Sequence, residues 1–146
     1  MTPEEHLMKS VVEAWGRADM QPLKDALDDQ IVWKSAATRW DDRIRSGGVH
    51  NGRAEVIALF SKVQTAYFNH GAKLKEISSN GETVWGLFEV TGAYAPVAEG
   101  RQRASRTMTG EIALRWRIRN GKIIEAQTFF DTAGLIAEQE RGASDA

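Results

Sequence analysis

Residues 107–119, with the sequence TMTGEIALRWRIR, alternate between apolar and polar side chains. Successive side chains of a β-strand point to opposite faces of its sheet, so this segment predicts one long strand with two different faces. One face carries Met108, Gly110, Ile112, Leu114, Trp116 and Ile118, and the other carries Thr109, Glu111, Ala113, Arg115, Arg117 and Arg119. The chain therefore has to build a sheet with an apolar inner face and a charged outer face.

Two Asn-Gly pairs, Asn80-Gly81 and Asn120-Gly121, mark tight turns in the second half of the chain. This dipeptide readily adopts the positive φ angles that a two-residue hairpin needs. With a broader turn at 96–100, they predict a four-stranded antiparallel meander after residue 70. The inner face is expected to carry Val84, Gly86, Phe88, Val90 and Tyr94 from one strand, and Ile124, Ala126, Thr128 and Phe130 from the last. By the same alternation along the last strand, Asp131 is expected on the outer face.

Helix signals are concentrated in the first half of the chain. The segments TPEE and NGRAE and the residue Asp19 each resemble a helix N-terminus, and they predict three helices. The β-branched and aromatic segment QIVWKSA predicts a strand between the second and third helices, and a long irregular stretch follows it at 36–50. A short helix is expected after Asp131. The order predicts a single α+β domain over residues 1–140 and a disordered tail at 141–146.

The composition excludes several classes of function. With 19 basic and 20 acidic residues, the net charge of −1 gives no general attraction to nucleic acid or anionic lipid. The chain has no cysteine, and its three histidines lack metal-ligand spacing, so we predict neither a metal nor another cofactor. No apolar run approaches the ~18 residues of a membrane span, and the charged N-terminal segment does not resemble a secretory signal. We therefore predict a soluble, cytoplasmic protein.

The inner face is expected to carry unusually small residues, namely Gly86, Gly92, Gly110 and Ala126. Small residues opposite large aromatic ones on a curved sheet leave room, which favours an apolar pocket. The same glycines also permit a helix to pack closely against the sheet. The sequence leaves these two interpretations open.

The order of the elements, with the segments EAWGRADMQPLKDALDDQIVWKSA, VHNGRAEVIALF and RNGKIIEAQTFFDTAGL, resembles the SnoaL-like branch of the nuclear transport factor 2-like superfamily. This branch includes relatives of steroid isomerases and polyketide cyclases. The resemblance implies a cone-shaped α+β fold, in which a curved antiparallel sheet wraps around three helices and leaves an apolar cavity at the wide end. It also implies a homodimer formed through the outer face of the sheet.

The resemblance also indicates which catalytic residues are missing. The catalytic aspartate of the steroid isomerases aligns with Lys34, and their two oxyanion-hole residues align with Val11 and Ile112. The catalytic aspartate of limonene epoxide hydrolase aligns with Thr128. The chain is therefore expected to be neither a steroid isomerase nor an epoxide hydrolase.

Three residues are candidates for acid/base catalysis, namely Asp131, Asp41 and His50. Asp131 is either a desolvated carboxylate at the pocket or the cap of the last helix, and capping is favoured by its position and parity. Asp41, with Asp42 and Trp40, lies on the irregular stretch and forms either a lid or a solvated turn. His50 is either a proton-transfer group or a surface residue.

Candidate ligand-binding residues are Lys34, Trp40, Tyr67, Phe88, Tyr94, Met108, Trp116, Thr128 and Phe130. Lys34 either binds a carbonyl or anionic group in the pocket or extends its amine to the rim. These residues predict a small-molecule enzyme that catalyses cofactor-free isomerisation, cyclisation or hydration of an apolar carbonyl compound. The alternatives are a noncatalytic protein that binds an apolar small molecule, and a structural dimerisation module whose pocket is filled by Trp116 and Phe130.

Overall fold

The structure is a computed structural model, which describes the backbone of residues 1–35, 47–94, 97–98, 101–102, 108–134 and 137, and the side chains of these except 62–70, 93–94, 97–98, 101–102 and 108. The helices are α1 (Pro3–Gly16), α2 (Gln21–Ala26) and α3 (Arg53–Ala66). The strands are β1 (Leu27–Lys34), β2 (Val49–Asn51), β3 (Tyr67–Asn80), β4 (Thr83–Tyr94), β5 (Val97–Ala98), β6 (Arg101–Gln102), β7 (Met108–Arg119) and β8 (Lys122–Phe130). Residues 132–134 form a helical turn.

Six strands form one sheet in the order β2-β1-β8-β7-β4-β3. The strands β3, β4, β7 and β8 are antiparallel neighbours, which confirms the predicted meander. Both Asn-Gly turns contain positive φ angles, 51° and 72° at Asn120 and Gly121 and 61° at Gly81. The sequence did not predict that β1 pairs in parallel with β8, nor that the short strand β2 extends the sheet beyond β1.

The helices α1 and α3 pack on the inner face, where α1 contacts β3 and β4 and α3 contacts β1, β2 and β3. The buried core between these layers confirms the predicted inner faces of β4 and β7. The last strand differs from its prediction. A register shift after Arg117 pairs Ile118 with Ile123, so Ile123 is fully buried whereas Ile124 is only half-buried. Such a bulge changes which residues face inward, and strict alternation does not reveal it.

The helix α1 begins with the predicted cap. The Glu5 backbone N–H donates to Thr2 Oγ1 (3.1 Å), and the Thr2 backbone N–H donates to Glu5 Oε2 (3.5 Å). Asp19 accepts from the backbone N–H of Gln21 (3.2 Å), but α2 begins at Gln21 and Met20 occupies its cap position. Asp19 therefore stabilises the start of α2, but it lies one residue before the cap position, which was predicted for it.

The C-terminal end of α2 is held by two cationic side chains. Arg53, the first residue of α3, donates from Nε (3.1 Å) and Nη2 (3.0 Å) to the Lys24 carbonyl oxygen. The Lys122 ammonium at the start of β8 donates to the Asp25 carbonyl oxygen. Cations are favourable at a helix C-terminus because the unpaired carbonyls carry partial negative charge. These contacts tie α2 to α3 and to the sheet, and they give Arg53 of the segment HNGR a structural role.

Candidate functional site

A row of neighbouring positions crosses the inner face from His50 through Trp33, Ala126 and Trp116 to Val84. The small side chain of Ala126 lets the Trp33 and Trp116 rings approach each other, with centroids 6.2 Å apart. Phe60 of α3 covers Trp33 edge-on at 5.0 Å. Trp116 is 1% exposed, and its indole Nε1 has no hydrogen-bond partner among the described residues. This row is therefore packed core, and Trp116 fills space there.

Polar side chains lie beside this row on the inner face. Thr128 pairs with Leu114 and is half-buried. Ser35 is 3% exposed, and its backbone N–H donates to the Gly48 carbonyl oxygen (3.0 Å). Since Lys34 pairs with Gln127, extending that parallel register by one residue brings Ser35 beside Thr128. Two residues with hydroxyl side chains thus occupy neighbouring positions on the inner face.

His50 lies at the edge of this hydroxyl pair. It pairs with Trp33 across antiparallel strands, and such partners project to the same face, so the imidazole is on the inner face and half-buried. His50 Nε2 lies 2.8 Å from the Gly47 carbonyl oxygen. A carbonyl oxygen only accepts hydrogen bonds, so Nε2 carries the hydrogen and Nδ1 of the neutral ring carries the lone pair. In the neutral ring, Nδ1 is therefore the nitrogen that can accept a proton.

The next rows of the inner face become progressively more open. Ile112 pairs with Phe88 on one side and Phe130 on the other; Phe88 is fully buried and Phe130 is half-buried. One row further, Gly110 pairs with the half-buried Val90 and is itself exposed. A Cβ atom built on Gly110 meets no described atom within 4 Å. This apolar end of the inner face, formed by Val90, Gly110, Ile112 and Phe130, is named the open end below.

Gly86, unlike Gly110, has close neighbours on the inner face. A Cβ atom on Gly86 would lie 2.6 Å from Met8 Sδ of α1 and 2.7 Å from the Phe88 ring. Contacts this short would force Met8 or Phe88 to shift, so the absence of a side chain at Gly86 permits the close packing of α1 on β4. The two interpretations of the inner glycines therefore apply to different positions, with helix packing at Gly86 and no close neighbour among the described residues at Gly110.

Asp131 acts as a helix cap. Its exposed carboxylate accepts from the Gly134 backbone N–H at 2.9 Å, across the helical turn at 132–134. This hydrogen bond confirms the capping interpretation. The described part of the site gives Asp131 no contact with the open end.

Lys34 lies on the outer face. Val32 and Lys34 pair with Glu125 and Gln127, and the side chains of this set alternate with the inward-facing Trp33 and Ala126. The Lys34 amine therefore points away from the inner face, and the position that faces inward is its neighbour Ser35. Lys34 and Ser35 therefore lie on opposite faces, because successive side chains of a strand alternate.

The Lys34 charge instead acts on Glu125. Partial burial raises the pKa of Glu125, but hydrogen bonds from Arg115 (3.1 Å) and Arg117 (3.4 Å), together with the charges of Arg115 and Lys34, outweigh that effect. The pKa of Glu125 is consequently below its ordinary value.

Several predicted residues fall outside the described part of the chain. They are Trp40, Asp41 and Asp42, and the side chains of Tyr67, Tyr94 and Met108. Within the described residues, no group of three His, Asp or Glu side chains could hold a metal ion. None of the helices that the structure describes is long and apolar enough to cross a membrane.

Sequence reasoning did not identify Ser35 as an inward-facing group. The available signal was its position two residues after Trp33 in the segment VWKS, since side chains two apart in a strand share a face. The predicted strand QIVWKSA runs through Ser35, whereas β1 ends at Lys34. Its backbone hydrogen bond to Gly48 keeps it beside β2.

Comparisons with known proteins agree with this geometry. The family model of the SnoaL-like domain matches residues 8–126, which is more than half of the chain. No curated protein is significantly similar to the chain in sequence. A nuclear transport factor 2-like protein of unknown function from Burkholderia pseudomallei is 25% identical and superposes with a TM-score of 0.69, over 94% of this chain and 97% of that chain.

Two further solved structures show the same fold at lower identity. A protein from Xanthomonas campestris with a provisional polyketide cyclase assignment has a TM-score of 0.71 at 20% identity, over 92% of this chain and 95% of that chain. Another with the same kind of assignment, from Streptomyces antibioticus, has a TM-score of 0.73 at 18% identity, over 95% and 99% of the two chains. The chain belongs to the SnoaL-like domain family and has the nuclear transport factor 2-like fold.

Proposed function

We propose that this protein binds an apolar carbonyl compound at the open end and catalyses a cofactor-free acid/base reaction on it, such as isomerisation, cyclisation or hydration. The observation that carries the proposal is that the open end shares the inner face of the sheet with His50, Ser35 and Thr128, of which Thr128 lies two residues from Phe130 on β8. Apolar pockets with a few convergent polar groups are typical small-molecule sites.

The open end supplies the binding energy in this proposal. Val90, Ile112 and Phe130 present apolar surface, and Gly110 adds no side chain of its own. Transfer of apolar ligand surface from water to such a site contributes roughly 25 cal/mol for each Å² buried. The hydroxyl groups of Ser35 and Thr128 would fix the orientation of a ligand oxygen, because each can donate a hydrogen bond.

His50 is the proposed base. Its Nδ1 lone pair takes a proton from the carbon next to the ligand carbonyl, and the electron pair of the broken C–H bond moves to the carbonyl oxygen. A hydroxyl of Thr128 or Ser35 donates a hydrogen bond to the enolate oxygen that forms. Return of the proton to another carbon completes an isomerisation. Alternatively, the enolate carbon attacks a second carbonyl to form a ring, and the alkoxide oxygen that results takes the proton from His50.

The comparisons support this reaction class and none of its details. Structural neighbours with provisional polyketide cyclase assignments have the same fold, and cyclisation through an enolate is one outcome of the proposed step. Because their sequence identities are 20% and 18%, they support the fold and leave the substrate of this protein to experiment.

The proposal is tested by hydrogen–deuterium exchange at the α-carbon of 2-tetralone, an apolar bicyclic ketone, followed by NMR in deuterated buffer. We expect the protein to accelerate exchange and the His50→Gln variant to lose about 10² to 10⁴ of the acceleration, which is the usual contribution of a general base. Asp131→Asn is the matched control, because an asparagine still caps a helix but lacks a carboxylate. Full activity of His50→Gln, or loss of activity in Asp131→Asn, would contradict the assignment of the base.

The second candidate is a noncatalytic binding protein of the same fold. It is favoured by the absence of a carboxylate from the aligned inward-facing positions, where Val11, Ile112 and Thr128 lie. In that case 2-naphthol would bind, the Gly110→Val variant would bind it less tightly, and no ketone would exchange. Gly71→Val is the control, since a Cβ atom on Gly71 would also meet no described atom within 4 Å, but Gly71 lies on the edge strand β3. The structural module remains the third candidate, and ligand binding at the open end would exclude it.

A further inference from the structure

Two glycines with positive φ angles flank the short strand β2. Gly48 directly precedes the strand and has a φ of 91°, and Gly52 directly follows it and has a φ of 89°. Residues with a side chain rarely adopt such angles, because their Cβ atom then comes too close to the neighbouring backbone. Glycine adopts them readily. Both ends of β2 therefore depend on a backbone conformation that favours glycine.

The backbone around Gly48 connects two residues of the candidate site. The Ser35 backbone N–H donates to the Gly48 carbonyl oxygen at 3.0 Å, which fixes this carbonyl beside β1. The preceding carbonyl, that of Gly47, lies 2.8 Å from His50 Nε2 and accepts its hydrogen bond. Gly47 is buried and His50 is half-buried, so this hydrogen bond has little competition from water. One turn thus contacts both the backbone of Ser35 and the imidazole of His50.

The φ angle of Gly48 determines where the Gly47 carbonyl points. This angle is the rotation about the N–Cα bond of Gly48, and the rigid peptide plane before that bond contains the Gly47 carbonyl. With the Gly48 carbonyl fixed by Ser35, a change of φ from 91° to negative values rotates the preceding peptide by about half a turn. The Gly47 oxygen would then point away from His50.

We infer that Gly48 is a positioning residue that selects the tautomer of His50. Its positive φ aims the Gly47 carbonyl at Nε2, and a carbonyl oxygen accepts only from a nitrogen that carries hydrogen. The hydrogen bond at one ring nitrogen sets the protonation of the other, so Nδ1 of the neutral ring keeps its lone pair. The catalytic consequence rests on the proposed function, in which Nδ1 is the base. The choice of tautomer does not depend on that function.

Gly48 and Gly52 form a matched pair for testing this inference. A Cβ atom on Gly48 would lie 3.9 Å from His50 Nε2, and one on Gly52 would lie 3.8 Å from the Asp29 carbonyl oxygen. Both distances are ordinary van der Waals contacts, so a methyl group at either position acts through the φ angle and not through a collision. The two substitutions strain the backbone similarly, but only Gly48 directly follows the carbonyl that contacts His50.

The tautomer is measured by ¹⁵N NMR of the imidazole at a pH above the ordinary histidine pKa of about 6.5, where the ring is neutral. The chain has three histidines, and the spectrum of His50→Gln identifies the signals of His50. In the wild-type protein we expect a protonated Nε2 and an unprotonated Nδ1. In Gly48→Ala the tautomer with hydrogen on Nδ1 should become populated, which reduces the separation between the two nitrogen shifts. Gly52→Ala should retain the wild-type shifts.

The catalytic consequence is measured on the same variants by the exchange of 2-tetralone. Gly48→Ala should lower kcat by about 10²-fold, as misplacement of a catalytic group does. Its KM should stay unchanged, because position 48 precedes β2 whereas the open end is formed by β4, β7 and β8. Gly52→Ala should retain both kinetic constants. A general loss of stability would affect the two glycine variants alike, so the difference between them reports the positioning of His50.

Two results would overturn the inference, namely hydrogen on Nδ1 in the wild-type protein and an unchanged tautomer in Gly48→Ala. If Gly48→Ala does not fold, Gly48→Asn replaces it, because asparagine tolerates positive φ better than alanine. The second tautomer is then expected at a lower population, and its absence would equally overturn the inference. A changed tautomer without loss of exchange would support the inference and would show that His50 is not the base. Failure of the wild-type protein to exchange the ketone would contradict the proposed function alone, since the tautomers still test Gly48.

Discussion

Gly86 and Gly110 lie on adjacent strands and on the same face of the sheet, yet a side chain at the two positions would meet opposite surroundings. At Gly86 it would collide with Met8 and Phe88, whereas at Gly110 it would meet no described atom within 4 Å. The first glycine lets α1 pack against β4, and the second lies where the described helices do not cover the sheet. Closely packed core and accessible apolar surface therefore occupy the two ends of one continuous sheet.

In the proposed function, this difference separates the residues that stabilise the fold from those that bind the ligand. The packed end contains the fully buried Val84 and Ile123 and the aromatic row around Trp116. The open end keeps apolar residues that are only half-buried, such as Val90 and Phe130. Substitutions at the packed end should change stability, and substitutions at the open end should change ligand binding.

The largest expected effect is on stability at the packed end. Gly86→Val should lower the free energy of unfolding by about 3 kcal/mol, because overpacking a filled core usually costs about 1 to 3 kcal/mol and Met8 has little room to move. Gly110→Val is the matched control and should change stability by less than about 0.5 kcal/mol, as surface substitutions do. Urea denaturation measures both. Equal destabilisation of the two variants would remove the distinction between the ends.

The contact of α1 with the edge strand provides a second test of close helix packing, at Ala72, which pairs with Val90. A Cβ atom on Gly16 would lie 2.4 Å from the Ala72 backbone nitrogen, and backbone cannot move aside as a flexible side chain can. Gly16→Ala should therefore cost about 2 kcal/mol, even though alanine gains up to about 1 kcal/mol of helix propensity over glycine. Thermal unfolding gives the change. A stabilised Gly16→Ala variant would show that α1 packs less closely than the structure indicates.

The anchoring of α2 should have a smaller effect. Arg53→Met removes two hydrogen bonds to the Lys24 carbonyl but keeps the apolar part of the side chain. We expect a loss of about 1 to 2 kcal/mol, since hydrogen bonds from a charged donor contribute more than neutral ones and this donor is partly buried. Arg17→Met serves as the control on an exposed position at the end of α1. Hydrogen exchange of the α2 amides should rise in Arg53→Met only.

The smallest expected effect is that of Glu125, on the outer face behind the packed end. Its pKa is lowered in the folded protein, so its contribution to stability is fully present above the pKa of the unfolded chain and is lost as the pH falls through the folded value. The stability advantage of the wild type over Glu125→Gln should be below about 1 kcal/mol at neutral pH and should shrink below the ordinary glutamate pKa of about 4.3. Denaturation curves from pH 7 to acid measure it. An advantage that grows on acidification would contradict the direction of the shift.

Local sequence signals were sufficient for the meander and insufficient for the rest of the sheet. The Asn-Gly turns and the alternation of β7 act between chain neighbours, so they predicted β3, β4, β7 and β8 in the right order. The parallel pairing of β1 with β8 joins segments that are far apart in the chain, and no local pattern specifies it. The bulge that turns Ile123 inward was also not predicted, because it depends on how β7 and β8 pair and not on the sequence of β8 alone.

The candidate site was predicted in part, and its errors have physical causes. The sequence identified His50, Thr128 and Phe130, which the structure places on the inner face. It left Lys34 open between the pocket and the rim and overlooked Ser35, because the face of a residue depends on a register that one residue can reverse. It left the roles of Gly86 and Gly110 open. The role of Gly86 depends on a contact with Met8, which belongs to a helix far away in the sequence.

The most direct test of the open end is NMR of methyl groups during titration with 2-naphthol. The methyl signals of Val90 and Ile112 should shift with a common saturation curve, while those of Val84 and Ile118 at the packed end should stay fixed. The same titration of Gly110→Val should show weaker binding with an unchanged spectrum at the packed end. Shifts confined to residues of the crevice between α2 and α3, such as Leu23 and Ile57, or no shifts at Val90 and Ile112, would contradict a binding site at the open end.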